Sequence, residues 1–229
     1  MATAAESTQF VPAARIQQSL LAPLERHALD WLARHMPRAI NSDHLTLLGL
    51  LAMLGAGAAY WAAAVRPWML WVATLCLALN WLGDSLDGTL ARYRNQQRPR
   101  YGFYVDHMVD VIGTLVLLLG MGTSGLMHLW VAVAMLIAYY LLFAEVFLAT
   151  YTLGRFRISV GLFSPTELRV LLAVGNTVAL FKPLCHLAGR QFLLFDAGCL
   201  CGALGMAAIF LVMGLRHTAV LYAQERIAR

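Results

Sequence analysis

The chain has 229 residues, 60% of them hydrophobic and 13% charged, with a formal net charge of +5. A soluble domain carries about 25% charged residues, so this composition, with a mean hydropathy of +0.67, excludes an ordinary water-soluble globule and gives the class as an all-α polytopic membrane protein.

Residues 1–12 lack both a basic start and an apolar run, so they read as a disordered tail rather than a secretory signal. In residues 23–36, Pro23 can open a helix, and Leu24, Ala28, Trp31, Leu32 and Met36 share one face, with Glu25, Arg26, Asp30 and Arg34 elsewhere. That pattern suits an amphipathic helix in the membrane interface, or equally one packed on the protein's own polar face. Residues 1–37 are therefore expected to form a tail and interfacial helix, and residues 38–229 a six-helix transmembrane domain.

A membrane-crossing helix needs about 20 apolar residues. The stretches that qualify or nearly qualify are 45–65, 68–90, 102–121, 127–150, 164–181 and 193–215. Ser42 is expected to cap the first. The fifth carries Glu167 and Arg169 in its opening turn, behind Ser164 as cap and Pro165. Six crossings put both termini on one side. That side receives fourteen of the 17 Lys and Arg residues, against Arg66, Lys182 and Arg190 on the other. The excess of basic residues assigns both termini to the cytoplasm, and an inner or plasma membrane is the expected location. The net charge follows from this topology, and no nucleic-acid partner is expected.

Cys76, Cys185, Cys199 and Cys201 lack the spacing of a zinc site and read as small packing residues. Gly198 and Gly202 permit close helix contact without requiring a dimer. Asn80, Glu145 and Asn176 are polar groups inside spans, and each is expected to bond to a neighbouring helix.

Four aspartates carry the chemistry. An acid at the centre of a span costs about 2.5 to 3.5 kcal/mol on insertion scales. Asp84, Asp87, Gly88 and Ala91 stand at i, i+3, i+4 and i+7 on the second span, and Gly102, Asp106 and Asp110 at i, i+4 and i+8 on the third. Each helix so presents a carboxylate pair beside minimal bulk. The short connection 93–101 makes the spans antiparallel neighbours, so all four acids converge near the cytoplasmic surface. Like charges this close require protonation or bound cations. Oxygen ligands without a His or Cys cluster favour Mg²⁺, Mn²⁺ or Ca²⁺, and four carboxylates can serve two ions. Mg²⁺ completes its shell with water or phosphate, which implies a phosphate-bearing ligand, and Arg92 can neutralise that phosphate at the rim. The competing structural reading is a salt-bridge network with Arg92, Arg94 or Arg98.

Asp84-x2-Asp87-Gly88-x2-Ala91-Arg92, nine residues, then Gly102-x3-Asp106-x3-Asp110 resembles the signature of the CDP-alcohol phosphotransferases, also called CDP-alcohol phosphatidyltransferases, with all eight fixed positions filled across 27 residues. The resemblance implies transfer of the substituted phosphate of a CDP-linked alcohol to a second alcohol, with release of CMP, in phospholipid synthesis. It implies that Asp84, Asp87 and Asp106 bind Mg²⁺ or Mn²⁺, two ions in all, with Asp110 near the second ion and acting as general base. Gly88, Ala91, Arg92 and Gly102 would line the nucleotide site, and relatives suggest a homodimer. The chain departs from the family at 42–43, where Ser-Asp stands in place of the frequent Pro-Asn before Leu45-Thr46.

Two versions of the reaction compete. CDP-diacylglycerol can donate phosphatidyl to a small polar alcohol, with Arg155, Arg157 and Arg169 binding an acceptor phosphate; the competing reading of Arg155 and Arg157 is topological charge beside lipid headgroups. Alternatively CDP-choline or CDP-ethanolamine donates to diacylglycerol, to which Asp106-His107 and Pro165-Thr166-Glu167 bear a short resemblance. A different class, a divalent-cation transporter, would need acids continuing across the membrane, and only Glu145 and Asp196 are available.

Overall fold

The computed structural model describes residues 14–16, 22–157, 165–187 and 189–226. The expected tail at 1–12 and the Ser164 cap lie outside the described residues, as do the side chains of Leu24, Arg155 and Arg157. The elements run β1 (Ala14–Ile16), α1 (Ala22–His35), α2 (Ser42–Ala63), α3 (Met69–Tyr93), α4 (Pro99–Gly122), α5 (Leu129–Leu153), β2 (Arg155–Arg157), α6 (Pro165–Phe181), β3 (Leu184–Leu187), β4 (Arg190–Leu193) and α7 (Leu194–Gln224).

The protein is a bundle of apolar helices. Among the described residues, five helices, α2, α3, α4, α5 and α7, are long and apolar enough to cross a membrane, rather than the expected six. The exception is α6, whose 17 residues rise only about 25 Å at 1.5 Å each. It nonetheless runs from one end of the bundle to the other. Thr166 in its first turn meets Glu25 of α1, and the β3–β4 hairpin that follows leads into Asp196 of α7, which binds His128 in the α4–α5 connection. The antiparallel hairpin was not expected, and neither was the parallel pairing of β1 with β2. The last helix runs nine residues past its expected end at 215, carrying Arg216 and His217 within it.

Two buried clusters hold the bundle. At one end Leu29 and Ala33 of α1 pack with Leu45 of α2 and Leu86 and Leu90 of α3. Toward the other, Ala56, Tyr60, Leu70, Ala73, Leu117, Met121 and Val131 join α2 through α5. The buried stripe of α1 therefore runs through Glu25, Leu29 and Ala33, flanked by Leu32 and Met36, while Trp31 of the expected apolar face is exposed. One side of this helix packs on the protein, as the second reading expected, and the Trp31 indole is exposed.

Small residues let α2 and α3 approach closely, for a Cβ added at Gly83 would stand 2.5 Å from the Leu45 carbonyl oxygen. Polar groups within the spans bond across helices as expected. Asn80 donates to the Gly49 carbonyl at 3.0 Å, Tyr60 donates to Asn176 at 2.7 Å, and His217 donates from Nδ1 to Glu145 at 2.5 Å. The outer surface is lined by exposed Leu47, Leu51, Leu148, Leu204, Leu211 and Leu215, and Trp61, Trp68, Trp71 and Trp130 are exposed at one end. That distribution matches a lipid-facing wall with an aromatic belt.

The N-cap of α2 is Asn41 rather than Ser42. The Asn41 side chain accepts from the His44 amide at 3.0 Å while the His44 ring returns a bond to the Asn41 amide, which closes a capping box. Ser42 becomes the first helical residue, because Asn-x-x-His satisfies two otherwise unpaired amides where a lone serine would satisfy one.

Candidate functional site at the α3–α4 end

The α3–α4 connection spans only residues 94–98, and Asn95 turns it with φ of 55°. Asparagine tolerates that left-handed conformation, and Pro99 opens α4 at a position where its missing amide has no cost. The last turns of α3 and the first turns of α4 are thereby set antiparallel, with Asp84, Asp87, Asp106 and Asp110 at the same end of the bundle.

Each aspartate has a distinct setting. Asp84 Oδ2 accepts from Nη2 of Arg169 at 2.5 Å, an ion pair that is largely buried. Arg169 is aimed there by Asn80, whose Oδ1 accepts from its Nε at 2.8 Å. Asn80 is itself fixed on the Gly49 carbonyl, so a chain of polar contacts runs from α2 through α3 to α6. Asp87 accepts from the Thr46 hydroxyl at 2.6 Å and from the Gly88 amide. Asp110 is partly buried and feels the charges of Asp84, Asp87 and Arg169 together. Asp106 is more open and lies 3.7 Å from the His107 ring, which bonds to the Phe103 carbonyl and stacks on Phe143 of α5.

The competing salt-bridge reading had invoked Arg92, Arg94 or Arg98. Two of these are engaged elsewhere. Arg94 donates to the carbonyls of Met36, Pro37 and Ile40, tying the α1–α2 connection to the end of α3. Arg98 pairs with Asp43 and lies over the Tyr101 ring at 4.2 Å. Arg92 donates to Thr89 at 3.0 Å. The cation on Asp84 comes instead from α6, a pairing that no spacing in the sequence announces.

Two clefts flank this end. One, of about 180 Å³, lies between α2 and α4 and is lined by Thr46, Leu47, Leu50, Tyr101, Val105 and Val109. The other, of about 390 Å³, is lined by Asn41, Ser42, Gln96, Gln97 and Arg98, and Asp43 borders both. Gly102 and Gly88 face unfilled space. A Cβ at Gly102 would meet nothing within 4 Å, and at Gly88 only the Arg92 guanidinium at 3.4 Å. Their smallness is not demanded by helix packing, unlike that of Gly83.

Among the described residues, no three Asp, Glu, His or Cys side chains already converge as a ligating group. The donor set still fits a hard divalent cation, being all carboxylate oxygen, with Asp84, Asp87 and Asp110 near enough to share one field. Of the other expected site residues, Arg169 reaches the aspartates, whereas Arg155 and Arg157 lie on β2 with undescribed side chains.

Reasoning from sequence missed Glu25, which it placed on the polar face of α1. Glu25 is 9% exposed, and its Oε1 accepts from Trp81, Ser85 and Thr166. The available signal was its position four residues before Leu29, on the same face as Ala33. Thr46, noted only as part of a Leu-Thr pair, is a direct partner of Asp87.

The family model described as CDP-alcohol phosphatidyltransferase matches residues 40–214. Among solved structures, the chain resembles phosphatidylinositol phosphate synthase of Mycobacterium tuberculosis with CDP-DAG bound, at a TM-score of 0.60 and 18% identity, covering 89% of this chain and 100% of that one. The same enzyme in complex with manganese and citrate aligns with a TM-score of 0.58 and 18% identity, over 90% and 92% of the two chains. No curated protein matches the chain by sequence. With its motif intact on α3 and α4, and the family match spanning α2 to α7, the chain belongs to the CDP-alcohol phosphatidyltransferase family.

Proposed function

We propose that this protein is a membrane phosphatidyltransferase of phospholipid synthesis that takes the phosphatidyl group of CDP-diacylglycerol, delivers it to the hydroxyl of a small phosphate-bearing alcohol, and releases CMP. The observation that carries this reading is the Arg169–Asp84 contact: a guanidinium from α6 stands beside the motif acids, where an anionic acceptor would meet it.

Asp110 takes the proton of the attacking hydroxyl. The hydroxyl oxygen then bonds to the phosphatidyl phosphorus as the bond from that phosphorus to the bridging oxygen of CMP breaks. Gly88, Ala91, Arg92 and Gly102 border the nucleotide, the two glycines by leaving room at the backbone. Asp84, Asp87, Asp106 and Asp110 would hold two divalent cations, Mg²⁺ or Mn²⁺, and when bound these would supply Lewis-acid stabilisation of the charge growing on CMP. Arg169, oriented by Asn80, receives the acceptor phosphate, with Arg155 and Arg157 on the adjoining connection. A site at the membrane surface admits a lipid laterally and a nucleotide from water, and the excess of basic residues on that side supports a cytoplasmic surface. The assembly is a homodimer in the inner or plasma membrane.

The test is CMP release by the purified protein across a grid of donors (CDP-diacylglycerol, CDP-choline, CDP-ethanolamine) and acceptors (inositol phosphate, glycerol phosphate, serine, diacylglycerol). Release is expected with CDP-diacylglycerol and a phosphorylated polyol, lost with a chelator and restored by Mg²⁺ or Mn²⁺. Turnover confined to CDP-choline or CDP-ethanolamine with diacylglycerol would overturn the donor assignment. Metal uptake into vesicles without CMP release would overturn the enzyme.

A further inference from the structure

We infer that Glu25, on the juxtamembrane helix α1, is a positioning residue for the reaction, clamping the motif helix α3 to the first turn of α6 so that Arg169 and Asp84 stay in register. The inference rests on the reading of the motif end as the transferase site. Glu25 Oε1 accepts three hydrogen bonds: from Trp81 Nε1 at 2.9 Å, Ser85 Oγ at 3.0 Å and Thr166 Oγ1 at 2.9 Å. Ser85 is the residue after Asp84, and Thr166 lies one turn before Arg169. A single carboxylate oxygen thus joins the two elements that supply the Arg169–Asp84 pair, from a helix that contributes neither.

Burial says that this acid is not there for solubility. Glu25 is 9% exposed, and its Oε2 has no hydrogen-bond partner among the described residues. Burying a carboxyl with one unsatisfied oxygen is unfavourable unless the bonds on the other oxygen offset it. An apolar residue at this position would simply extend the packing of Leu29 and Ala33 of α1 on Leu86 and Leu90 of α3. What an apolar residue cannot do is fix the rotation of α3 relative to α6, because only a shared acceptor responds to both Ser85 and Thr166. The β1–β2 pairing separately ties the chain before α1 to the connection between α5 and α6.

The test is steady-state kinetics with CDP-diacylglycerol and a phosphorylated acceptor, read as CMP release, for E25A, E25Q, R169A and the E25A/R169A double variant. Misplacing a positioning group by about 1 Å can cost on the order of a hundredfold in rate. E25A is therefore expected to lower kcat/KM for the acceptor by about tenfold or more, with donor KM changed by less than about threefold. E25Q, which keeps an acceptor oxygen, should recover most of that loss. In the R169A background E25A should cost less than about twofold, because coupled residues are non-additive. Equal losses in both backgrounds, or E25Q as damaging as E25A, would overturn the inference.

If E25A does not fold, T166V carries the test, with a loss of about threefold expected and the same non-additivity with R169A; additivity would overturn the inference. Hydrogen exchange reads the clamp without turnover. E25A should speed exchange across residues 165–170 and leave 129–140 unchanged, and unaltered exchange at 165–170 would sink the idea. Absence of CMP release by the wild type with every donor would refute the proposed function alone, while the exchange result would still judge the clamp.

Discussion

At the residue scale, the four motif aspartates occupy four different environments, which suggests four different sensitivities to substitution. Asp110 is partly buried in the combined field of Asp84, Asp87 and Arg169, the setting of a group whose proton matters. D110N is expected to abolish CMP release and leave binding of the CDP donor largely intact, measured by calorimetry. A loss of binding as large as that of D84N would make Asp110 chiefly a ligand. Arg169 has its guanidinium on Asp84 and its orientation from Asn80. R169A should raise the acceptor KM by at least about tenfold, the effect of some 1.4 kcal/mol of lost charge-assisted bonding, with donor KM moved far less. Equal effects on both would assign Arg169 a structural role. These aspartates were legible in the sequence because helix period alone puts i, i+3 and i+4 on one face. The Arg169–Asp84 and Glu25–Thr166 contacts were not legible, since they span 85 and 141 residues of sequence. Contacts of that range leave no local period.

At the scale of elements, glycines separate packing from function. Gly83 lies where α2 and α3 nearly touch, and a Cβ there would stand 2.5 Å from the Leu45 oxygen and 2.6 Å from the Gly49 nitrogen, both backbone atoms. G83A must push the helices apart, and overpacking of this kind costs about 1 to 3 kcal/mol or more, so its melting temperature in detergent should fall. Gly102 sits in α4 with nothing within 4 Å of an added Cβ. G102A should melt no lower than the wild type, since alanine is favoured over glycine within a helix by about 1 kcal/mol, yet it should raise donor KM by narrowing the proposed nucleotide site. A G102A variant that loses stability, or one that keeps its donor KM, would refute that division. The helices themselves were legible to within a few residues at most ends. The helix α6 lies where it was expected but is too short to count among the spans, and the two strand pairs and the nine-residue extension of α7 were not legible, because hydropathy marks apolar length and carries no signal for short strand pairing.

At the scale of the whole molecule, the polar end and the opposite end of the bundle are chemically distinct. Arg66, Lys182 and Arg190 lie in connections at the end bearing the Asp196–His128 contact, and the motif, α1 and most of the arginines lie at the other. If the basic end is cytoplasmic, a cysteine introduced at exposed Gln96 should be labelled by a membrane-impermeant thiol reagent in inverted vesicles and protected in right-side-out ones. One introduced at Gly189 should show the reverse. The opposite pattern would invert the proposed topology and move the site away from cytoplasmic CDP donors.

The sequence by itself determined the membrane class, the approximate helices, the acid motif and the family, because composition, helical period and fixed spacing are local properties written along the chain. Only the tertiary structure decided that Asn41 caps α2, that Glu25 is buried rather than solvated, and that the charge beside Asp84 comes from Arg169. The Asn41 cap is a local exchange with His44, whereas the other two depend on which helices are neighbours, and that is settled by packing small and large side chains across α1, α2, α3 and α6 together. The four aspartates mark the proposed site in the sequence; the helices that come to meet them decide how they are held.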